Sequence, residues 1–193
     1  SNGIEYLIQP SYRPNKQLEI YGRVRHQQKQ GNIGTDNGGV KGLVDINQTN
    51  YRLALSYKVT ESITLKSRID YVTYKKGDED TETGIAIAQD IVYKPKKFPV
   101  DVTLRYALFD TKSYNSRIYA FEQNALYVFS VPAYYNQGHR AYILLRYTCF
   151  KSVDIWARYA LFMYNNVDRI GTGPEQIEGR NKTELTLQVR WKF

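Results

Sequence analysis

Lys182-Thr-Glu-Leu-Thr-Leu-Gln-Val-Arg-Trp-Lys-Phe193 reads as one strand with two unlike faces. Leu185, Leu187, Val189, Trp191 and Phe193 take every second position, and Glu184, Thr186, Gln188, Arg190 and Lys192 fill the gaps. Side chains alternate across a strand, so one face is apolar and the other polar. The same period runs back along the chain. In Tyr51-Arg-Leu-Ala-Leu-Ser-Tyr57 the odd positions are large and apolar. Val100, Val102, Leu104 and Tyr106 alternate with Asp101, Thr103 and Arg105, and Val153, Ile155, Ala157 and Tyr159 with Asp154, Trp156 and Arg158. No stretch keeps a helical period, and the runs are rich in Tyr, Val, Ile and Thr.

The pattern predicts strands near 3–12, 17–27, 50–59, 62–75, 83–94, 98–110, 139–150, 152–164 and 181–193. Short connections at 13–16, 60–61, 94–98 and 151–152 alternate with longer polar ones at 28–49, 76–82, 111–138 and 165–180. Short turns at one rim and long loops at the other are the pattern of an outer-membrane barrel. The expected fold is therefore all-β, an antiparallel transmembrane β-barrel of about nine to ten strands. Residues 1–193 form one barrel domain or barrel segment. Nine is odd, and bacterial single-chain barrels are usually even. The first strand would also run from the outside inward. Both points predict the carboxy-terminal part of a larger barrel, completed by an upstream part or by other outer-membrane subunits.

Composition is compatible with this. The chain has 193 residues, 14% aromatic, with 18 Tyr, one Cys and a formal charge of +8. One Cys excludes an internal disulfide framework and a Cys-based zinc site. No run of about 18 apolar residues is present, so no transmembrane helix is predicted.

The terminal alternation resembles the carboxy-terminal signal read by barrel-assembly machinery in bacterial outer-membrane proteins. That resemblance assigns Leu185, Leu187, Val189, Trp191 and Phe193 to the signal. A second stretch, Arg105-Tyr-Ala-Leu-Phe-Asp-Thr-Lys-Ser-Tyr-Asn-Ser-Arg-Ile-Tyr-Ala120 followed by Phe129-Ser-Val-Pro-Ala-Tyr-Tyr135, resembles a family of Bacteroidota outer-membrane proteins. Its members often carry helix-hairpin-helix segments before the barrel. No such segment lies in these 193 residues, so the resemblance implies location rather than activity.

Eight arginines fall on the polar faces and are expected to line a lumen: Arg23, Arg25, Arg52, Arg68, Arg105, Arg146, Arg158 and Arg190. Glu5, Glu19, Asp70, Asp101, Asp154 and Glu184 share those faces. A wall with cross-strand pairs explains both signs, whereas a nucleic-acid surface would explain only one. The segment 111–138 carries Ile118, Phe121, Leu126, Val128 and Phe129, poor tenants of an open loop, together with Glu122. It is expected to fold into the lumen.

Catalytic and cofactor readings find little. His26 and His139 lack metal-type spacing and a paired Ser. Cys149 shares a face with Ile143, Leu145 and Tyr147 and reads as a small apolar residue. Gly77-Asp-Glu-Asp-Thr-Glu82 lacks the spacing of a calcium loop. The expectation is a non-enzymatic outer-membrane protein without cofactor, acting as a pore, receptor or scaffold. Its partners would be outer-membrane lipid, lipopolysaccharide and the assembly machinery. A barrel-housed hydrolase or a soluble ligand-binding barrel is the alternative.

Overall fold

The computed structural model describes residues 2–32, 42–150 and 152–193. In chain order the strands are β1 (Gly3–Ile8), β2 (Ser11–Tyr12), β3 (Leu18–Asn32), β4 (Leu43–Lys58), β5 (Ile63–Lys76), β6 (Glu82–Tyr93) and β7 (Val100–Thr111). After them come β8 (Ile118–Tyr119), β9 (Ala133–Tyr134), β10 (Gln137–Cys149), β11 (Val153–Tyr164), β12 (Arg169–Ile170), β13 (Ile177–Glu178) and β14 (Asn181–Trp191). Among the described residues a single 3-10 turn occurs, at Gly173–Glu175.

One antiparallel sheet dominates, in the order β1-β3-β4-β5-β6-β7-β10-β11-β14, with β2 also on β3. The fold of the described residues is thus all-β, with nine strands joined in sequence order by eight ladders. β2 continues the register of β1, because Ile8 lies opposite Val24 and Ser11 opposite Tyr21. Pro10 interrupts the strand between them. It has no N–H to give, which an edge strand tolerates, and its carbonyl still accepts from Gly22 N at 3.1 Å. Among the described residues β1 and β14 each have one neighbour, so the sheet is open at both edges.

Two connections differ from what the sequence predicts: the first is much shorter, and the second carries a small hairpin. β3 and β4 extend into 28–49, pairing from Leu18 opposite Tyr57 as far as Asn32 opposite Leu43. Gln27, Gln28, Lys29 and Gln30 are polar, and so are their β4 partners except Ile46, so alternation cannot reveal them; backbone pairing needs no apolar face. The rest of the Gly-rich run, 33–41, lies outside the described residues, as does Lys151 of the predicted 151–152 turn. The loop 165–180 is likewise not simply solvated. β12 pairs with β13, and Ile170 is buried beside Tyr164, with Val167 and Ile177 packed on the same cluster.

Backbone hydrogen bonds tie neighbouring connections into two rims. Lys58 N reaches Gln17 O at 2.8 Å, Lys94 N Ser62 O at 2.8 Å, Thr148 N Pro99 O at 2.9 Å and Lys192 N Ser152 O at 2.8 Å, all at the short-turn rim. Gly77 N to Asp45 O, Lys112 N to Thr83 O and Asn165 N to Gln137 O, each 2.9 Å, join the long connections at the other.

The two faces differ as the alternation predicts. Cross-strand rows on one face read Leu53, Ile69, Ile87, Leu108 and Tyr57, Leu65, Ile91, Leu104, Ile143, Tyr159, Leu185. Most of these side chains are exposed. The other face mixes charged and small side chains with buried aromatic ones such as Phe109, Tyr142, Trp156 and Phe162, and residues 112–136 lie across its centre. The small residues make room for that segment. Gly84 is one of them: a Cβ there would stand 2.3 Å from Ser116 O. Gly is required because the two backbones approach each other so closely.

Candidate functional site: a charged wall and the segment it holds

All eight predicted arginines lie on the covered face. Arg25 binds Glu5 through Nε at 2.9 Å and Nη2 at 2.8 Å. Arg52 Nε donates to Asp70 at 2.6 Å, and Arg68 shares that carboxylate. Arg105 grips Asp90 through Nε at 2.5 Å and Nη2 at 2.6 Å. Arg146 and Arg190 meet at Asp154, and both stack against Trp156. Arg23 sits opposite Arg52 in register and donates to Gln9 at 2.6 Å. The wall is therefore a ladder of cross-strand ion pairs more than a row of free cations.

Several of these arginines also bind backbone. Arg105 Nη1 donates to Phe121 O at 2.6 Å and Arg158 Nε to Gln123 O at 3.1 Å. Arg52 and Arg68 both reach Tyr119 O at 3.4 Å. Every second carbonyl of an extended segment thus finds a wall guanidinium. A buried carbonyl left unpaired is costly, so these contacts help hold the segment on the wall.

Glu122 is the centre of the contact. Fully buried, it accepts from Arg140 Nε at 2.9 Å and Nη2 at 2.7 Å, from Arg158 and from the Tyr134 hydroxyl at 2.9 Å. Arg140 also meets Glu184 of β14 at 2.9 Å. Burial, and then the Glu122 carboxylate, push the Tyr134 hydroxyl well above its usual range, so it remains a donor. Around this hub the rings of Phe109, Tyr134, Phe162 and Tyr164 pack, and the Arg140 guanidinium lies 4.1 Å from the Phe162 centroid. A second cluster, Ala125 on Tyr142, Leu144, Trp156 and Ala160, holds the far end of the segment. There Val128 N closes a turn on Ala125 O at 3.1 Å, leaving Tyr127 exposed at φ 64°.

Arg140 is absent from the arginines chosen by sequence. Its signal was parity, since Arg140, Tyr142, Leu144 and Arg146 are all even-numbered. Leu144 blurred the alternation because it too is buried on the charged face, under the segment.

The terminal strand pairs with β11 from Trp191 opposite Val153 to Asn181 opposite Met163. Leu185, Leu187, Val189 and Trp191 are exposed by 68–73%, against 37–49% for most apolar residues on the same face of inner strands, because nothing flanks β14 on one side. The polar side is less idle than its sequence suggests. Arg190 and Lys192, the latter at 2.9 Å, both reach the buried Asp154, which also accepts from Thr148 at 2.7 Å. Deleting Phe193 and replacing Trp191 with Ser should sharply lower assembly into membranes, whereas Lys192→Gln, with Asp154 still held by Arg146 and Arg190, should lower it little. Equal assembly of the two variants, measured by heat-dependent gel mobility of membrane fractions, would remove the signal reading.

The histidines sit on the exposed face. His26 Nδ1 lies 2.9 Å from Thr49 Oγ1, and His139 Nδ1 lies 2.7 Å from the Tyr106 hydroxyl. Cys149 is half-buried. Among the described residues no three His, Cys, Asp or Glu side chains stand close enough to hold a metal ion.

No family model matches the chain, and no curated relative matches it. Among solved structures seven chains match. One of them is described as a NanC porin in a rhombohedral crystal form; it is 12% identical, with a TM-score of 0.47, over 99% of this chain and 94% of that one.

Proposed function

We propose that this chain forms part of the wall of an outer-membrane β-barrel whose interior is narrowed by residues 112–136. The observation that carries the reading is the pairing of two opposite faces in one sheet. The bare face presents rows of Ile, Leu, Val and Tyr across eight strands, a surface that lipid would cover and water would not. The opposite face is a ladder of ion pairs bound to an inserted segment, as a polar interior requires. The likeness of 105–135 to Bacteroidota outer-membrane proteins supports the same location.

β1 and β14 stand first and ninth in an antiparallel series, so they run in the same direction. Closing such a sheet with antiparallel neighbours takes an odd number of further strands, supplied by another part of the protein or by an outer-membrane partner. The activity that fits is a restricted pore. A cavity of about 490 Å³ beside the segment is lined by Arg23, Arg52, Lys66, Arg68 and Arg105 against Glu19 and Asp90, which would favour anions.

Planar-bilayer conductance of the full-length protein tests this. Deleting 116–131 should raise conductance and give a pore preferring Cl⁻ over K⁺. Unchanged conductance would remove the narrowing role, and a cation preference would remove the anion pathway. Recovery of the protein in solution without detergent would overturn the barrel itself.

A further inference from the structure

The short-turn rim sets exposed lysines beside exposed Phe and Trp side chains. Its turns read Tyr57-Lys-Val59, Tyr93-Lys-Pro-Lys-Lys-Phe98 and Trp191-Lys-Phe193. Phe98 and Trp191 are exposed by 70% and 73%, and Phe150 by 90%. Lys16, Lys58, Lys94 and Lys97 are exposed and make no ion pair among the described residues, whereas Lys96 meets Glu61. The opposite rim carries the acidic run Gly77-Asp-Glu-Asp-Thr-Glu82, with Asp168, Glu175 and Glu178 beyond it.

An exposed lysine beside an exposed aromatic has two surfaces to satisfy. The ring seeks the boundary between hydrocarbon and headgroup, and the ammonium seeks an anion at that depth. A soluble acidic protein would answer the lysines but leave Phe98, Phe150 and Trp191 against water. A bilayer leaflet carrying phosphate answers both. We infer that the short-turn rim is a binding surface for anionic phospholipid headgroups, with Lys16, Lys58 and Lys97 contacting phosphate and the neighbouring aromatics seated in the interface. This rests on the membrane reading above and adds to it a lipid preference and the rim that carries it.

Trp191 supplies the probe, because the other tryptophan, Trp156, is buried on the covered face. Full-length protein carrying Trp156→Phe is reconstituted in phosphatidylcholine vesicles, and its fluorescence is quenched with brominated phosphatidylglycerol or brominated phosphatidylcholine. The glycerol lipid should quench at roughly threefold lower mole fraction or better, as expected where lysines meet an anionic surface, and high salt should erase the difference. Adding Lys16→Gln, Lys58→Gln and Lys97→Gln should bring the ratio to about one by the same reasoning. Lys75→Gln with Lys112→Gln, at the other rim, should leave it unchanged. Equal quenching by the two lipids in the unmodified rim would overturn the inference while leaving the barrel intact. Quenching by neither would instead overturn the membrane reading. Loss of the preference on adding millimolar inorganic phosphate at constant ionic strength would assign the site to a soluble anion and overturn the lipid.

Discussion

Glu122→Gln should release residues 112–136 from the wall while the wall itself stays folded. The substitution strips the charge from a fully buried carboxylate and leaves Arg140 and Arg158 buried without it. Removing one partner of a buried ion pair costs about 3–5 kcal/mol, most of it the stranded charge. The wall does not depend on this residue, since its strands are joined by their own ladders. Limited proteolysis of reconstituted protein should therefore cut within 112–136 in the variant and spare it in the parent, with heat-dependent gel mobility unchanged in both. Combining Glu122→Leu with Arg140→Met and Arg158→Met, which leaves the partly exposed Glu184 to Lys182 at 3.6 Å, should recover much of the protection, because an apolar cluster of similar volume needs no counter-charge. Equal protection of the parent and Glu122→Gln would show that the segment is held by its apolar clusters alone.

The second large effect concerns the bare face. Leu104→Arg and Leu187→Arg should each cost roughly 2–4 kcal/mol if those positions face hydrocarbon near mid-membrane, and assembled protein should fall severely. Sequence alternation nominates Thr103→Arg and Thr186→Arg as the tolerated neighbours, and the structure revises both. Thr103 is buried under the inserted segment, its hydroxyl 3.0 Å from Gln123 Oε1, so an arginine there overpacks the contact. Thr186 stands opposite Arg158 in register, where a second cation meets the first. Ser56→Arg is the sounder control. Ser56 lines the 490 Å³ cavity, stands between Glu19 on β3 and Lys66 on β5, so that an added cation meets one charge of each sign, and neighbours Tyr57 of the bare face. Equal yields of Leu187→Arg and Ser56→Arg, compared by assembled fraction in membranes, would sink the assignment of faces.

Thr103 shows where reading the sequence stops. Period two states which side chains share a face, and for Leu104 and Thr103 it does so correctly. It carries no information about what lies against that face. The covering segment is thirty residues or more from β4 and β5 in sequence and approaches them only through the fold.

Apart from the β5–β6 connection, whose five residues 77–81 are fewer than the six of 94–99, what the sequence determined by itself was the strand class, the two faces, the order of short and long connections and the apolar terminal strand. All of these follow from local alternation and turn residues, which act within a few positions. It also placed the eight arginines on one face. The tertiary structure decided the rest. Arg140 joins the site because it shares a face with Arg158, with the Tyr142–Ala160 pair between them, and both side chains converge on Glu122. The arginines pair with carboxylates on neighbouring strands and with the carbonyls of Tyr119, Phe121 and Gln123, and those partners are set by register and by the path of the inserted segment. β3 and β4 run past their apolar stretch because backbone hydrogen bonds reward pairing whatever the side chains are. Register, long-range ion pairing and backbone satisfaction are properties of strands brought together, and no single strand's pattern encodes them.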